Sequence, residues 1–235
     1  MQNRLLAALP RKSYGELLPA LAPVQLAFGE VLNEPRRPIR HVYFPGDCVV
    51  SLVAPVDAAH ALEVGMVGCE GVIGTPLVLG VADSPVRALV QRAGAALRID
   101  AARFRRELAR NAPLQRVLHR YIQALMAQIT QTAACNRFHV IEPRLARWLL
   151  MTRDRVRSAQ FRMTHEFLAQ MLGVRRVGIT EAAGALQRRS LIAYTRGAIR
   201  ILDHRGLEAA SCSCYHKSGS GSDYFHGTGS SFAGR

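Results

Sequence analysis

Between Met163 and Ile192 the chain reads MTHEFLAQMLGVRRVGITEAAGALQRRSLI, and its reactive groups are hydrogen-bond donors rather than nucleophiles. Arg175 and Arg176 lead into a helical spacing that keeps Ile179, Ala182, Ala183 and Leu186 on one face and Thr180, Gln187 and Arg188 on the others. Guanidinium and amide groups displayed in this way match the acceptors of DNA, guanine O6 and N7 above all. Upstream, Thr164 can N-cap a helix whose stripe is Phe167, Leu168, Met171 and Leu172, and Gly173 supplies the positive φ that a sharp interhelical turn needs. The pattern predicts a helix-turn-helix. An ordinary helical hairpin with a solvated basic face would have the same spacing, so its context must decide.

A second set of reactive residues is the cysteines, Cys48, Cys69, Cys135, Cys212 and Cys214, odd in number and widely spread. This argues against a disulfide framework and for reduced thiols. Cys135 and His139 stand four apart on a helix, and Cys212-Ser213-Cys214 near His204 has short metal-like spacing. Two ligands at each of two remote places fall short of the four a structural zinc needs, so no metal is assigned. No P-loop, GxSxG, HExxH or dinucleotide fingerprint is present, and the chain is not expected to be an enzyme.

The composition fits that reading. The 235 residues carry a net charge of +14, and of the 31 basic residues all but Lys12 and Lys217 are arginine. Such an excess favours a polyanionic partner, because neutralising phosphates releases counterions. Hydrophobic residues make up 49%, enough for a buried core. No apolar run approaches the roughly eighteen residues of a membrane span, and the start is too short and too broken by Pro10 for a signal peptide. A cytoplasmic protein is expected.

The elements that must position these groups follow in order. Asn3 to Leu21 reads as one or two short helices kept short by prolines 10, 19 and 23. From Val24 to about Ile99, short Val- and Leu-rich runs punctuated by Gly, Pro and Asp predict antiparallel strands closing into a sandwich or barrel. Leu114 to Ala134 then runs without Gly or Pro. Its band of Leu114, Leu118, Tyr121, Ile122, Leu125 and Ile129 is wide enough to pair with a second copy of the helix, with Gln128 and Thr132 interrupting the seam. A further amphipathic helix, Cys135 to Val156, precedes the helix-turn-helix. After it, AYTRGAIRILD reads as a hairpin around Arg196-Gly197, a wing that can touch DNA backbone through Tyr194, Thr195 and Arg196. The expected class is α+β, with a β-roll (jelly roll) over 1–110, a dimerisation helix over 111–135, a winged helix-turn-helix over 136–214 and a disordered Gly/Ser-rich tail over 215–235.

This order resembles the Crp/Fnr family of bacterial transcription regulators across about residues 5–214, most specifically in CNRFHVIEPRLARWLLMTRDRV and MTHEFLAQMLGVRRVGIT. The resemblance implies a homodimer whose cyclic-nucleotide-binding-like sensor domains set the posture of two DNA-binding heads that recruit or block RNA polymerase. Carried over, the base-reading positions fall on Arg176, Val177 and Glu181. Arg176 alone matches the cyclic-AMP-responsive members, which implies a different operator. Thr164, His165 and Arg175 match backbone-contacting positions, while Thr180, Gln187, Arg188 and Arg196 extend the surface.

In the sensor domain the family holds a nucleotide phosphate with a Gly-Glu pair, a short helix and an Arg-Ser pair. Here Gly68, Glu70, Gly71 and Gly74 keep a glycine-rich turn, but Ser84-Pro85 stands where Arg-Ser should be and Arg87 lies two residues late. Pro85 has no N–H to offer an anion. The pocket at Gly68, Glu70, Gly71, Ser84 and Arg87 therefore reads as degenerate, without bound cyclic AMP. Nothing before Cys48 supplies the cysteine cluster of the oxygen-sensing branch, so no iron–sulfur cofactor is expected. Two other readings compete: a regulatory module acting on a protein partner, and a thiol- or metal-responsive switch. Four arginines, Arg175, Arg176, Arg188 and Arg189, on one short element favour DNA over a protein-only role.

Overall fold

The computed structural model describes residues 3–57, 60–156 and 158–217. Two short helices, α1 (Arg4–Ala7) and α2 (Arg11–Leu17), open the chain, the first capped by Asn3, whose Oδ1 accepts from Leu6 N. Seven strands follow: β1 (Ala22–Leu26), β2 (Val31–Asn33), β3 (His41–Pro45), β4 (Val49–Pro55), β5 (Ala61–Val67), β6 (Arg87–Arg92) and β7 (Gly94–Asp100). All pair antiparallel, in one sheet ordered β1-β7-β3 and another ordered β2-β6-β4-β5. Along β4, Val50 and Leu52 enter the core between the sheets, with Phe44 and Ile99, whereas Val49 and Val53 face the C-terminal helices. Side chains alternate along a strand, so the unbroken run CVVSLV is what burial on both faces requires.

Asp100 caps α3 (Ala101–Arg110), and Asn111 then caps α4 (Ala112–Phe138), a 27-residue helix that runs past the expected boundary at 135. Its orientation corrects the sequence expectation. Leu114 and Leu118 are 0% exposed, and with Tyr121 and Leu125 they lie inside the core of the β-roll rather than on a seam open to a partner. Tyr121 fills the space that a side chain at Gly71 would need. Ile122 is buried; the apolar groups α4 turns outward include Met126, 59% exposed, the half-buried Ile129 and, at its end, Phe138, 76% exposed. Gln128 does not interrupt a seam but completes an edge. Its Oε1 accepts from Met66 N and its Nε2 donates to Met66 O, satisfying the outer side of β5.

Beyond a break at His139, α5 (Ile141–Val156), β8 (Gln160–Arg162), α6 (His165–Leu172), α7 (Arg176–Arg188), β9 (Ile192–Thr195), β10 (Ala198–Ile201), α8 (His204–Ala210) and α9 (Cys214–Lys217) complete the described chain. Strands β8, β10 and β9 make a three-stranded sheet. Arg196 and Gly197 both have positive φ, 48° and 79°, which is the two-residue hairpin turn that matches strand twist. The tail begins later than expected: Tyr215 lies in α9 and its hydroxyl donates to Asp154 Oδ2 at 2.8 Å. The rest of the expected tail, 218–235, lies outside the described residues. No helix among the described residues is long and apolar enough to cross a membrane.

Candidate nucleic-acid interface

Thr164 Oγ1 accepts from Phe167 N at 3.1 Å and starts α6; Gly173, with φ 63°, ends it and lets Val174 N reach Ala169 O. The helix α7 then buries Ile179, Ala182, Ala183 and Leu186 in a core shared with Leu145, Leu149 and Leu168. That burial fixes which side α7 shows. Arg175, Arg176, Val177, Thr180, Glu181, Gln187 and Arg188 are exposed along it, and Arg196 is exposed at the tip of the β9–β10 hairpin.

Two of the expected contact residues are turned partly into the fold. His165 stacks on Tyr194 at a centroid distance of 4.3 Å, and its Nδ1 lies 3.0 Å from Thr180 Oγ1. Thr180 donates onward to Arg176 O, and the Tyr194 hydroxyl donates to Met163 O. The start of α6, the first turns of α7 and the wing are thereby held as one rigid surface. Burial and the nearby Arg176 charge hold the His165 imidazole below its usual pKa, which favours the neutral ring that this stack contains. Sequence reasoning assigned His165 a backbone contact and missed that it joins the wing to the helices.

The expected ligand-pocket residues are not gathered in one place. Glu70 is 3% exposed and accepts from Arg155 Nε of α5 at 2.8 Å. Gly68 packs against that same pair and Gly71 against Tyr121. Arg87 pairs with Glu34 at the surface, and Ser84 hydrogen-bonds across its own turn to Val86. The short helical turn of this region is Thr75–Leu79, bracketed by Gly74 and Gly80 with φ 104° and 79°. Gly74 thus stands immediately before the turn, and its neighbour Thr75, the first residue of the turn, carries no carboxylate. The cleft beside the turn, about 860 Å³, has Arg36, Asp57, Asp83 and Ser84 on its wall and Ile122 and Met126 of α4 on its floor. One cation against two carboxylates makes no anion clamp.

A pair missed by sequence reasoning holds the C-terminal unit to the β-roll. Trp148 Nε1 of α5 donates to Glu63 Oε1 of β5 at 2.8 Å, and burial pushes the Glu63 carboxyl up to about 7. The one signal available for it was a lone acid in the apolar strand ALEVGMV together with the single tryptophan. Near it, Leu62 packs against the α6–α7 turn at Gly173.

Antiparallel β-roll, long helix and winged helix-turn-helix together define a two-part architecture. Residues 143–210 match the Crp-like helix-turn-helix domain. No curated protein sequence matches the chain. Among solved structures, a Crp/Fnr-family transcriptional regulator from Eubacterium rectale superposes with a TM-score of 0.69 at 16% identity, covering 88% of this chain and 96% of its own. A CRP-family regulator from Thermus thermophilus gives 0.67 at 18% identity over 80% and 96%. The c-di-GMP-responsive global regulator CLP of Xanthomonas campestris gives 0.68 at 16% identity over 83% and 100%. The chain has the fold of the Crp/Fnr regulators and carries their helix-turn-helix domain.

Proposed function

We propose that the protein is a homodimeric, sequence-specific DNA-binding transcription regulator of the cytoplasm, acting on promoters through RNA polymerase in response to a signal taken up by the β-roll. The observation that carries this reading is the exposed run Arg175, Arg176, Gln187 and Arg188 on α7, with Arg196 beside it on a wing fixed by His165 and Tyr194. In this reading Arg176 and Glu181 read base edges with Val177 in van der Waals contact, while Thr164, Arg175 and Arg196 grip the backbone. The sensor is the β-roll of 1–110, α4 is the pairing helix and 136–214 is the DNA-binding unit. The pairing surface is reassigned to the outward side of α4, Met126 and Ile129 with the buried Ile122 beneath them, continued by Leu79 and Val81, which are 62% and 49% exposed. An apolar patch of this kind on a charged chain is what a second copy covers. Selecting bound fragments from the source genome with the full chain tests the proposal: recovery of one shared sequence motif supports it, and fragments without a common motif refute it.

A further inference from the structure

Sequence spacing left two remote ligand pairs, one at the end of α4 and one at the start of α9, and the fold brings them together. Cys135 Sγ lies 3.4 Å from Cys212 Sγ, and Cys214 Sγ lies 3.5 Å from His139 Nδ1. The four ligand atoms of Cys135, His139, Cys212 and Cys214 all lie within 4.8 Å of one another. His204, which the sequence placed near the second pair, instead faces Glu208.

We infer that Cys135, His139, Cys212 and Cys214 form a closed, four-coordinate zinc site. Zinc–sulfur bonds of about 2.3 Å and a zinc–nitrogen bond of about 2.0 Å, arranged tetrahedrally, put sulfurs about 3.8 Å apart and sulfur about 3.5 Å from nitrogen. The sulfur–nitrogen separation of 3.5 Å equals its edge, the sulfur pair at 3.4 Å lies about 0.4 Å inside its own, and no pair exceeds 4.8 Å, so small side-chain movements close the four atoms on one ion. The 3.4 Å sulfur pair is far longer than a disulfide bond of about 2.05 Å. An iron–sulfur cluster divides its four ligands among two or more irons, which spreads them more widely than the 4.8 Å seen here.

The surroundings carry the same assignment independently. The three cysteines are 1%, 6% and 2% exposed and form a cluster of their own, apart from both hydrophobic cores. Thiols serving merely as small apolar groups would be dispersed in those cores, as Cys48 is. Gln131 Nε2 donates to Cys214 Sγ at 3.0 Å, the kind of outer hydrogen bond that orients a thiolate ligand. Arg144 and Arg147 are buried beside the cluster. The described hydrogen-bond acceptors of Arg144, Asn136 Oδ1 and Leu172 O, are both neutral. Three thiolates around a divalent ion leave one negative charge, and this is the counter-charge a buried guanidinium requires.

The site also has a mechanical consequence. Cys135 and His139 occupy the last turn and cap of α4, and Cys212 is 77 residues from Cys135. One ion therefore closes a loop around the whole winged unit and fastens its far end at the break between α4 and α5.

The test uses the full chain purified under reducing, chelator-free conditions. Elemental analysis is expected to give one zinc per chain, and cobalt(II) exchanged for it to give the intense visible bands of a tetrahedral thiolate site. Cys212→Ser and His139→Ala are expected to lose the metal or shift those bands, while Cys69→Ala, outside the cluster, keeps both. The assignment is overturned by a chain that neither contains zinc nor develops the cobalt bands. Unchanged metal content and spectrum in both ligand variants overturn it as well, and these readouts do not depend on whether the chain binds DNA.

Discussion

Arg176 is the first residue of α7, exposed, and followed by a helix whose other side is locked into the core. If Arg176 reads a guanine edge as proposed, Arg176→Ala is expected to cost about 1–3 kcal/mol of base discrimination at one position of each half-site. Fluorescence anisotropy on operators varied at single positions measures this, and an unchanged preference removes Arg176 from the readout. Glu63 makes a different prediction. Its carboxyl holds a proton up to about pH 7 in the folded chain, whereas an ordinary carboxylate releases it near 4.5. The folded state binds more protons between those values, so this group's contribution to stability falls as pH rises through that window. Glu63→Gln is expected to gain melting temperature relative to the parent on going from pH 5 to pH 8; parallel curves would contradict the assigned protonation. The exposed position of Arg176 at the start of α7 was legible in the sequence because it follows from helical spacing alone. Glu63 and Glu70 were not, because their partners Trp148 and Arg155 are each 85 residues away.

At the scale of elements, the helix α4 was legible in extent and ambiguous in direction. Periodicity shows that Leu114, Leu118, Tyr121 and Leu125 share a side, but not whether the β-roll or a second copy covers it. The fold gives that side to the β-roll. Leu118→Ala should therefore destabilise the β-roll by about 2–5 kcal/mol through the cavity it leaves, read from denaturant unfolding. A cost near zero would return Leu118 to the surface. The paired change Met126→Glu and Ile129→Glu acts on the outward side, and light scattering is expected to report a monomer with a melting temperature close to the parent's. A variant that stays dimeric would move the pairing surface elsewhere. The wing hairpin was legible, since Arg196-Gly197 between two short apolar runs allows few turns, whereas the short turn at Thr75–Leu79 was not: of the glycines spaced through this stretch, only Gly74 and Gly80 take the positive φ that brackets it.

Across the whole molecule, the winged unit is docked on the β-roll through Trp148 and Glu63, Arg155 and Glu70, and the packing of Leu62 at the α6–α7 turn. Val49, Val53 and Met66 join the same core as Leu145 and Leu149, so a change in the sheet is felt directly by the helices that position α7. Under the proposed function, this shared core is the physical route from the β-roll to the exposed side of α7. The most direct test of the central claim is a nuclease footprint of the full chain on a fragment recovered by genomic selection. Protection is expected over two half-sites about one helical turn, roughly 10 base pairs, apart, with the footprint lost in Arg176→Ala at protein concentrations that protect the site with the parent chain. Uniform protection along the fragment, or none at any concentration, would contradict it.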